Sequence, residues 1–273
     1  MNKWICDVCG TPGRFPGPQP ISIERKHFSV LKSQPYVVCE KTDGTRYFLV
    51  CTPDKECALV NRAFEVSQVT LNLPRGTILD GELVTCRDGK KLFVIHDAML
   101  IRDENVMGLT LTDRLTKAQS VVRSIIKTAK SPFGLVVKKM VPLENFADLP
   151  IEFPYETDGL VFTPVSEPVR FGTHETMFKW KPFEKITIDF LVRDGKDLYI
   201  QERGELIRQA ELHKGVFPDG TIVECLYGDL GWTPVKVRTD KTYPNNRRTY
   251  FRTLVNLREK ITRDEFTILR DNC

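Results

Sequence analysis

Apolar residues between positions 35 and 101 come in short runs that are separated by turn residues. The runs are rich in Val, Ile, Phe and Tyr. Runs of this kind are typical of strands in an antiparallel sheet. The predicted strands have the sequences PYVVCE, RYFLVCT, CALVN, TILDGELVTC and LFVIHDAMLI.

The hydrophobic period changes at residue 111. In LTDRLTKAQSVVRSIIKTAK, residues 111–130, Leu115, Ala118, Val122 and Ile125 recur at helical spacing with basic residues between them. This spacing predicts an amphipathic helix that covers the sheet. Strand patterns return in GLVVKKMVPL, TDGLVFTP and ETMFKWKP, so the first part of the chain is predicted to be α+β.

After KPFEK the strands become shorter and the turns tighter. ITIDFLVRDGKDLYIQERG contains a hairpin signal at Asp194-Gly195, and TIVECLYGD and WTPVKVRTD follow it. Several short strands in such a stretch predict a small all-β barrel such as an OB-fold. The sequence TYFRTLVNLREK then returns to helical spacing, and Thr262 with Glu265 forms a capping box for a last helix.

These patterns divide the chain into two predicted domains. The first spans residues 1–187, and the OB-like domain spans residues 188–252. We expect the helical segment 253–273 to pack back on the first domain.

Composition and charge restrict the class of protein. Of 273 residues, 41% are hydrophobic and 28% are charged, which is typical of a globular chain with a sizeable core. The formal charge of +4 is too small for a protein that coats nucleic acid by charge alone. The start, MNKWICDVCG, lacks a signal-peptide pattern, and no run approaches the roughly 20 apolar residues of a membrane span. We expect a soluble, intracellular monomer without a membrane partner.

The eight cysteines show no framework spacing. Several lie in strand-like runs, where a reduced thiol is a small core residue. Cys6 and Cys9 form a CxxC, but no second pair of Cys or His follows at zinc-finger spacing, which disfavours a structural zinc site. The sequence assigns no function to this pair.

The first candidate for chemistry is CEKTDGTRYFLV, residues 39–50, which places Lys41 between a strand and a glycine turn. A lysine amine that is neutral part of the time is a nucleophile. Gly44 lets the backbone approach a ligand closely, and Arg46 offers a planar fork for phosphate or sugar oxygens. Taken alone, the same pattern also fits an ordinary turn with a solvated lysine.

The order of the later motifs favours the chemical interpretation. Glu82 in LDGELV and Asp158 in ETDGLVF each lie beside a glycine, and Lys179 alternates with Lys181 in FKWKP. Each motif alone fits a turn or a solvated sheet face. Together and in this order, two acids and three lysines predict a site for a metal-bound nucleoside triphosphate.

The series KTDGTR, DGEL, FVIHDAM, TDGLVF, FKWKP and RTDK resembles the collinear motifs of the covalent nucleotidyltransferases. This superfamily comprises the mRNA capping guanylyltransferases and the DNA and RNA ligases. The resemblance is strongest to the capping guanylyltransferases, especially the compact monofunctional enzymes of large DNA viruses. It implies an α+β nucleotidyltransferase domain, with ATP-grasp-like antiparallel sheets and helices, followed by an OB-fold. It also implies a virus-encoded protein of the host nucleus or cytoplasm.

The resemblance further implies a two-step reaction. Lys41 would attack the α-phosphate of GTP, expel pyrophosphate and hold GMP through a phosphoamide bond. The 5′-diphosphate end of RNA would then take the GMP to give a GpppN cap. Lys179 and Lys181 would neutralise the α-phosphate, and Asp158, with Glu82 as a second candidate, would hold Mg²⁺ or Mn²⁺.

Other residues match family positions that bind the nucleotide. Arg46 would contact the ribose or a phosphate, as would Arg62, and Glu82 would contact the ribose or a metal-bound water. Lys138 would donate to the guanine O6, where adenine carries an amine. Position 96 usually carries an aromatic residue that stacks on guanine, and this chain departs from the pattern with His96.

The last motif lies in the small domain. There Arg238 and Lys241 would reach the β- and γ-phosphates when the barrel closes over the cleft, supported by Asp240 and Asp189. An RNA triphosphatase and a cap methyltransferase would be separate partner proteins.

Two other functions remain open from the sequence. An ATP-dependent polynucleotide ligase, for DNA or RNA, shares the lysine, the acids and the barrel, and would seal nicks. A non-enzymatic OB-type RNA-binding protein is the second alternative, but it gives Lys41, Glu82, Asp158 and Lys181 no common role.

Overall fold

The computed structural model describes residues 1–125 and 131–269. This part of the chain folds into two compact units. The first unit contains residues 1–21, 29–179 and 269, and the second contains residues 22–28 and 180–268. The units therefore divide between Lys179 and Trp180, whereas the predicted domains divide at residue 187.

The first unit is built mainly from strands. In chain order they are β1 (Pro18–Ser22), β2 (Tyr36–Thr42), β3 (Thr45–Cys51), β4 (Cys57–Asn61), β5 (Val66–Gln68), β6 (Thr77–Thr85), β7 (Lys91–Ile101), β8 (Glu104–Asn105), β9 (Gly134–Val137), β10 (Val141–Pro142), β11 (Thr157–Pro164) and β12 (Gly172–Trp180). The predicted strands between positions 35 and 101 are confirmed.

Three α-helices and a short 3₁₀ helix accompany these strands. They are α1 (Asn2–Cys9), α2 (Phe28–Ser33), α3 (Leu111–Ser124) and the 3₁₀ helix Leu143–Asp148. Helix α3 confirms the predicted amphipathic helix up to Ser124, while residues 126–130 of that prediction lie outside the described residues. The Thr110 side chain caps α3 by accepting a hydrogen bond from the backbone N–H of Asp113.

The strands form two sheets. One has the order β1-β12-β11-β2-β10, and the other has the order β5-β4-β3-β6-β7-β8 with β9 paired to β7. The β7–β9 pair is parallel, which makes this sheet mixed, whereas the pairs that its strands between residues 45 and 105 form with one another are antiparallel. Parallel neighbours need a long crossover, and α3 lies in that connection.

The predicted strand GLVVKKMVPL is also corrected, because it divides between the two sheets. Its first half, β9, pairs with β7, and its second half, β10, pairs with β2. Lys138 lies between the halves, and its backbone N donates to the Ile95 carbonyl at 2.7 Å. This segment therefore joins the sheets.

Helix α1 is an element that the sequence analysis did not predict. Its apolar side packs on the sheet through Ile5 and Cys9, against a cluster that contains Phe48 and Val50. Cys6 is buried on the same helix, and burial raises the pKa of the Cys9 thiol to about 12. The CxxC therefore contributes two core side chains.

The second unit contains one antiparallel sheet with the order β15-β14-β13-β16-β17. Its strands are β13 (Thr187–Arg193), β14 (Asp197–Glu202), β15 (Glu205–Glu211), β16 (Ile222–Gly228) and β17 (Gly231–Val237). An isolated bridge between Leu212 and Trp232 connects the ends of the sheet, as a small barrel requires. This architecture confirms the predicted OB-like fold.

Two α-helices, α4 (Arg247–Glu259) and α5 (Asp264–Ile268), and two short 3₁₀ helices, Arg25–His27 and Phe183–Lys185, complete the described part of the second unit. Tyr250, Leu254 and Leu257 of α4 pack in the barrel core. The described part of the predicted C-terminal segment, through Ile268, thus belongs to this unit, and residues 270–273 lie outside the described residues. The predicted cap is present in part, since the Thr262 N–H donates to the Glu265 carboxylate at 2.9 Å.

Among the described residues, none of the helices combines the length and apolar character that crossing a bilayer requires.

Candidate active site

A pocket of about 300 Å³ opens in the first unit, and both sheets contribute to its wall. Strands β2, β11 and β12 supply side chains from one sheet, and β3, β6 and β7 supply them from the other. The pocket brings together seven of the predicted site residues, namely Lys41, Arg46, Arg62, Glu82, His96, Lys138 and Lys179.

Lys41 is near the end of β2, and its side chain reaches across to β11. Its Nζ donates to Asp158 Oδ1 at 2.8 Å, and about a quarter of the side chain, 25%, is exposed. Asp158 is the extra residue of a β-bulge, because Thr157 pairs with Thr42 and Gly159 pairs with Lys41. Bulges change the direction of a side chain, and this one accompanies the contact between the acid and the lysine.

Arg46 is fixed on three sides. Its Nε and Nη2 donate to the two oxygens of Asp80 at 3.0 Å and 2.6 Å, and its Nη1 donates to the Pro18 carbonyl at 2.7 Å. Burial alone would raise the pKa of Asp80, but its charged and hydrogen-bonding neighbours, Arg46 foremost, together outweigh burial and hold that pKa below its ordinary value. The guanidinium is thus oriented by the fold itself.

His96 lies beside the same acid, with Nε2 3.4 Å from Asp80 Oδ1. A second bulge places it there, because Asp80 pairs with Asp97 and Gly81 pairs with Ile95. Consecutive residues of a regular strand point to opposite faces, yet His96 and Asp97 both line the pocket. Burial lowers the pKa of His96 to about 4, so its imidazole is neutral at neutral pH.

Glu82 is held close to the turn that follows Lys41. Its Oε1 accepts a hydrogen bond from the Gly44 backbone N at 3.2 Å, and burial raises the pKa of its carboxyl group above the ordinary value. In the β3–β6 ladder Glu82 pairs with Arg46. The three motifs KTDG, GTR and DGEL therefore meet at one edge of the pocket.

Lys138 is buried, and its ammonium contacts Glu40. Its Nζ donates to the Glu40 carbonyl at 3.0 Å and lies 3.3 Å from Glu40 Oε1. Lys139 is exposed. Of these two adjacent lysines, Lys138 lines the pocket and Lys139 does not.

Arg62 and Lys179 complete the cationic lining of the pocket. Arg62 follows β4 in an exposed turn, and Lys179 lies near the end of β12. Strand β12 ends at Trp180, so Lys181 follows the strand and is assigned to the second unit.

The predicted residues of the small domain form a cluster within the second unit. The Arg238 guanidinium donates to Asp240 at 2.8 Å and 2.9 Å and to Asp189 at 3.1 Å, and Lys241 also pairs with Asp189. The hydrogen bonds from Arg238 hold the pKa of Asp240 well below its ordinary value. Asp189 is itself fixed, because its backbone N donates to the Asn245 side chain at 2.8 Å.

Glu82 in the pocket wall and Asp158 beside Lys41 fit a metal ion that arrives with a ligand. Among the described residues, His, Cys, Asp and Glu side chains form no group of three or more that could hold an ion by themselves. Mg²⁺ in nucleotide sites is usually bound by one or two carboxylates together with phosphate oxygens and water. Glu82 and Asp158 provide oxygen donors of this kind.

Sequence reasoning missed the acids that position the predicted cations. Asp80 and Glu40 each stand next to a motif residue, but nothing in the sequence distinguished them from core strand positions. It also missed the buried pair in which Arg114 Nε donates to Asp97 Oδ1 at 2.7 Å. The only available signal was an acid in an otherwise apolar strand, since buried charges need partners.

The family assignment rests on two matches. A family model for the mRNA capping enzyme catalytic domain matches residues 1–183, and a model for the mRNA capping enzyme C-terminal domain matches residues 172–267. The chain belongs to the mRNA capping enzyme family. This confirms the family predicted from the motifs, and with it the class of enzyme, an mRNA guanylyltransferase.

Curated relatives carry the same family name. The mRNA-capping enzyme subunit alpha of Neurospora crassa is 26% identical over 333 residues, which cover 92% of this chain and 83% of that protein. The mRNA-capping enzyme of Mus musculus is 26% identical and covers 97% of this chain. The chain spans 51% of the mouse protein, about half of its length.

Among solved structures, a mycobacterial DNA ligase D complexed with ATP and MES is similar to this capping enzyme. The TM-score is 0.52 at 13% identity, and the match covers 83% of this chain and 96% of the other. At this identity the likeness concerns the fold alone. It confirms the nucleotidyltransferase-like architecture predicted for the chain.

Proposed function

We propose that this protein transfers GMP from GTP to the 5′-diphosphate end of RNA through a covalent lysyl-N-GMP intermediate on Lys41. The observation that carries this proposal is the position of Lys41. Its amine lies in the wall of a pocket of nucleotide size, 2.8 Å from Asp158, with Arg46, Lys138 and Lys179 around the same space.

The first step forms a bond between Lys41 Nζ and the α-phosphorus, and it breaks the bond from that phosphorus to the bridging oxygen of pyrophosphate. The attacking amine must lose a proton, and Asp158 Oδ1 is the acceptor to which Nζ already donates. In the second step a terminal phosphate oxygen of the RNA attacks the same phosphorus and releases Lys41. The covalent intermediate divides one difficult transfer into two reversible ones.

The negative charge of the phosphates is matched by the cations of the pocket. Lys179 and Lys181 would neutralise the α-phosphate. Arg46 and Arg62 would contact the ribose or the phosphates. Preformed charges of this kind stabilise the transition state of phosphoryl transfer. Arg46 suits the task because Asp80 and Pro18 hold its guanidinium in one orientation.

A divalent cation, Mg²⁺ or Mn²⁺, would be held by Asp158, with Glu82 as a second ligand. When bound, the cation supplies neutralising charge at the phosphate oxygens. Glu82 Oε1 accepts one hydrogen bond, from Gly44, and a carboxylate oxygen can accept more than one.

Selection of GTP over ATP is assigned to Lys138. A lysine ammonium donates to the guanine O6 but not to the amine that adenine carries there. His96 would stack on the base, with less area than the aromatic residue usual in the family. Because its imidazole is neutral, His96 adds no positive charge next to the base.

The cluster of the second unit would act on the leaving group. Arg238 and Lys241 would bind the β- and γ-phosphates, and Asp189 and Asp240 hold these cations in place. We also propose the predicted domain boundaries and a monomeric state. The triphosphatase and the methyltransferase would be separate proteins. The protein would be encoded by a virus and would work in the nucleus or cytoplasm of a host cell.

The test is retention of label on the denatured protein. Wild type is incubated with α-³²P-labelled GTP or ATP and Mg²⁺ or Mn²⁺, beside Lys41→Met and the exposed control Lys139→Met. Label from GTP that persists in Lys139→Met, disappears in Lys41→Met and is discharged by diphosphate-ended RNA is the expected result. Label from ATP alone would assign the chain to the ligase chemistry, and no label from either nucleotide would refute the proposal.

A further inference from the structure

Glu40 directly precedes the proposed nucleophile, and almost none of it reaches solvent. Its exposed fraction is 2%, and that of Lys138 is 7%. Its carbonyl and its carboxylate both contact the Lys138 ammonium, at 3.0 Å and 3.3 Å. A buried ion pair of this kind contributes little net stability, since removing both charges from water offsets their attraction. The pair therefore calls for another explanation.

The surroundings of the carboxylate give the second observation. Glu40 Oε1 also accepts hydrogen bonds from the Tyr155 hydroxyl at 2.9 Å and from Thr42 Oγ1 at 3.3 Å. Oε2 is buried and has no hydrogen-bond partner among the described residues. Leaving a buried charged oxygen unpaired destabilises a fold, and such groups in native proteins are often functional. A negative charge next to Lys138 is thus maintained at a cost.

Lys138 has a direct connection to the pocket. It lines that pocket and stands where the chain crosses from one sheet to the other, between β9 and β10. An ammonium group carries three hydrogens. The two contacts with Glu40 account for two of them, so one remains to donate to a ligand in the pocket.

We propose that Glu40 is the positioning residue for base recognition, which orients the Lys138 ammonium so that its remaining hydrogen meets the O6 of a 6-oxopurine nucleotide. This inference rests on the proposed function. Since Glu40 and Lys41 are neighbours in β2, one strand carries both the nucleophile and the group that orients the base-reading lysine. Base recognition and attack on the α-phosphorus then share one rigid element.

The test compares GTP with 2-aminopurine riboside triphosphate, which keeps the 2-amino group and lacks O6. Single-turnover formation of the lysyl-nucleotide is measured over a range of concentrations for wild type, Glu40→Gln, Lys138→Met and the double variant. We expect Glu40→Gln to lower the single-turnover second-order rate constant for GTP about tenfold, mainly through a higher half-saturating concentration, and to change the value for the analogue less than about twofold. When Lys138 is already replaced by Met, Glu40→Gln should cause no further change in the ratio of the rate constant for GTP to that for the analogue.

Two results would overturn the inference. An equal loss with both nucleotides would show a merely structural role for Glu40, and effects of Glu40→Gln and Lys138→Met that multiply would show that the residues act independently. Glu104→Gln, which removes the acid from an exposed pair with Lys117, is the matched control and should behave as wild type.

A milder variant keeps the test decisive if Glu40→Gln does not fold. Tyr155→Phe removes one hydrogen bond from Glu40 Oε1 and leaves the ion pair, so it should shift the preference for GTP in the same direction by about twofold to fivefold. An unchanged preference in that folded variant would count against the inference. Absence of GTP label on the wild type would instead refute the proposed function, and it is read before any variant is compared.

Discussion

Arg46 and Asp80 form a two-point ion pair in the pocket wall, in which each carboxylate oxygen accepts from a different nitrogen of the guanidinium. Asp80 is 0% exposed. The pair connects β3 to β6, and Pro18 of β1 holds a third side of the same guanidinium. The arginine is therefore part of the framework as well as part of the pocket.

Replacing Asp80 by Asn should destabilise the protein and reduce labelling from GTP. The change leaves a largely buried guanidinium, with 21% of its side chain exposed, without its counter-charge, which costs up to about 3–5 kcal/mol. Urea unfolding followed by circular dichroism measures the free energy of unfolding. The exposed control Glu104→Gln should lose less than about 1 kcal/mol. A loss below about 1 kcal/mol in Asp80→Asn would contradict the structural part assigned to the pair.

Gly44→Ala should disturb the turn between Lys41 and Arg46. A Cβ at this position would lie 2.6 Å from the Leu83 carbonyl oxygen and 2.7 Å from Val84 Cγ1, so the backbone would have to move. Overpacking of this kind typically costs about 1–3 kcal/mol, and the movement would break the contact of Gly44 N with Glu82. We expect labelling to fall at least about tenfold.

The control for this change is Gly108→Ala, because an added Cβ there meets no atom within 4 Å. Its unfolding free energy and its labelling should match those of wild type. Equal behaviour of the two alanine variants would show that close packing at Gly44 is unimportant.

His96→Phe should make the protein less sensitive to acid. The pKa of His96 is lowered by burial from 6.5 to about 4, so between these values the unfolded chain binds a proton that the folded chain does not. The free energy of unfolding therefore falls as the pH falls through this window. Between pH 7.5 and 5.0 the phenylalanine variant should lose about 1–2 kcal/mol less free energy of unfolding than the wild type. This difference is smaller than the whole pKa shift would give, because 19% of the His96 side chain is exposed.

Urea unfolding at the two pH values checks this prediction. His27 and His174 also have lowered pKa values because they are buried, so the difference between variant and wild type is the relevant quantity. The exposed control His213→Phe should show the wild-type loss. The same acid loss in His96→Phe as in wild type would disprove the assignment to His96.

Asp189→Asn should affect the first chemical step and spare the second. The carboxylate of Asp189 holds both Arg238 and Lys241, and the phosphates assigned to them leave with pyrophosphate. We expect lysyl-nucleotide formation to slow by about a hundredfold. Intermediate that accumulates during a long incubation and is then freed of GTP should transfer to diphosphate-ended RNA at the wild-type rate.

The matched control is Asp197→Asn, which removes the acid of an exposed pair with Arg208 in the same unit. It should leave both steps unchanged. Equal slowing of both steps in Asp189→Asn would argue for a general loss of structure in the second unit.

The sequence predicted the elements well where periodicity was long and regular. The strand runs up to residue 101, helix α3 through Ser124 and the hairpins of the second unit were confirmed. Helix α1 was missed because its eight residues offer too few helical repeats to stand out. The division of GLVVKKMVPL between two sheets was missed because each half is a short strand whose partner is set by tertiary contacts.

Within the site, the sequence identified cations and acids by type but not the contacts among them. Seven predicted residues lie in one pocket. Only the resemblance to a known family predicted that they would come together, because the order of motifs along the chain does not specify contacts. The sequence did not identify Asp80 as the partner of Arg46, because Asp80 lies two residues before Glu82 in the same motif. Regular strand alternation would place His96 and Asp97 on opposite faces, but both line the pocket because of the bulge.

The two bulges beside the pocket make strand length a functional property. Asp158 and His96 each occupy a position that has no partner on the neighbouring strand. Deleting either residue would close its bulge while the flanking residues keep their partners, so the strand would lose both the extra side chain and the local bend. A substitution at these positions changes one side chain and leaves the bend, whereas a single-codon deletion would remove both. Among relatives of this chain, insertions and deletions in β7 and β11 should therefore be rarer than substitutions at the same positions.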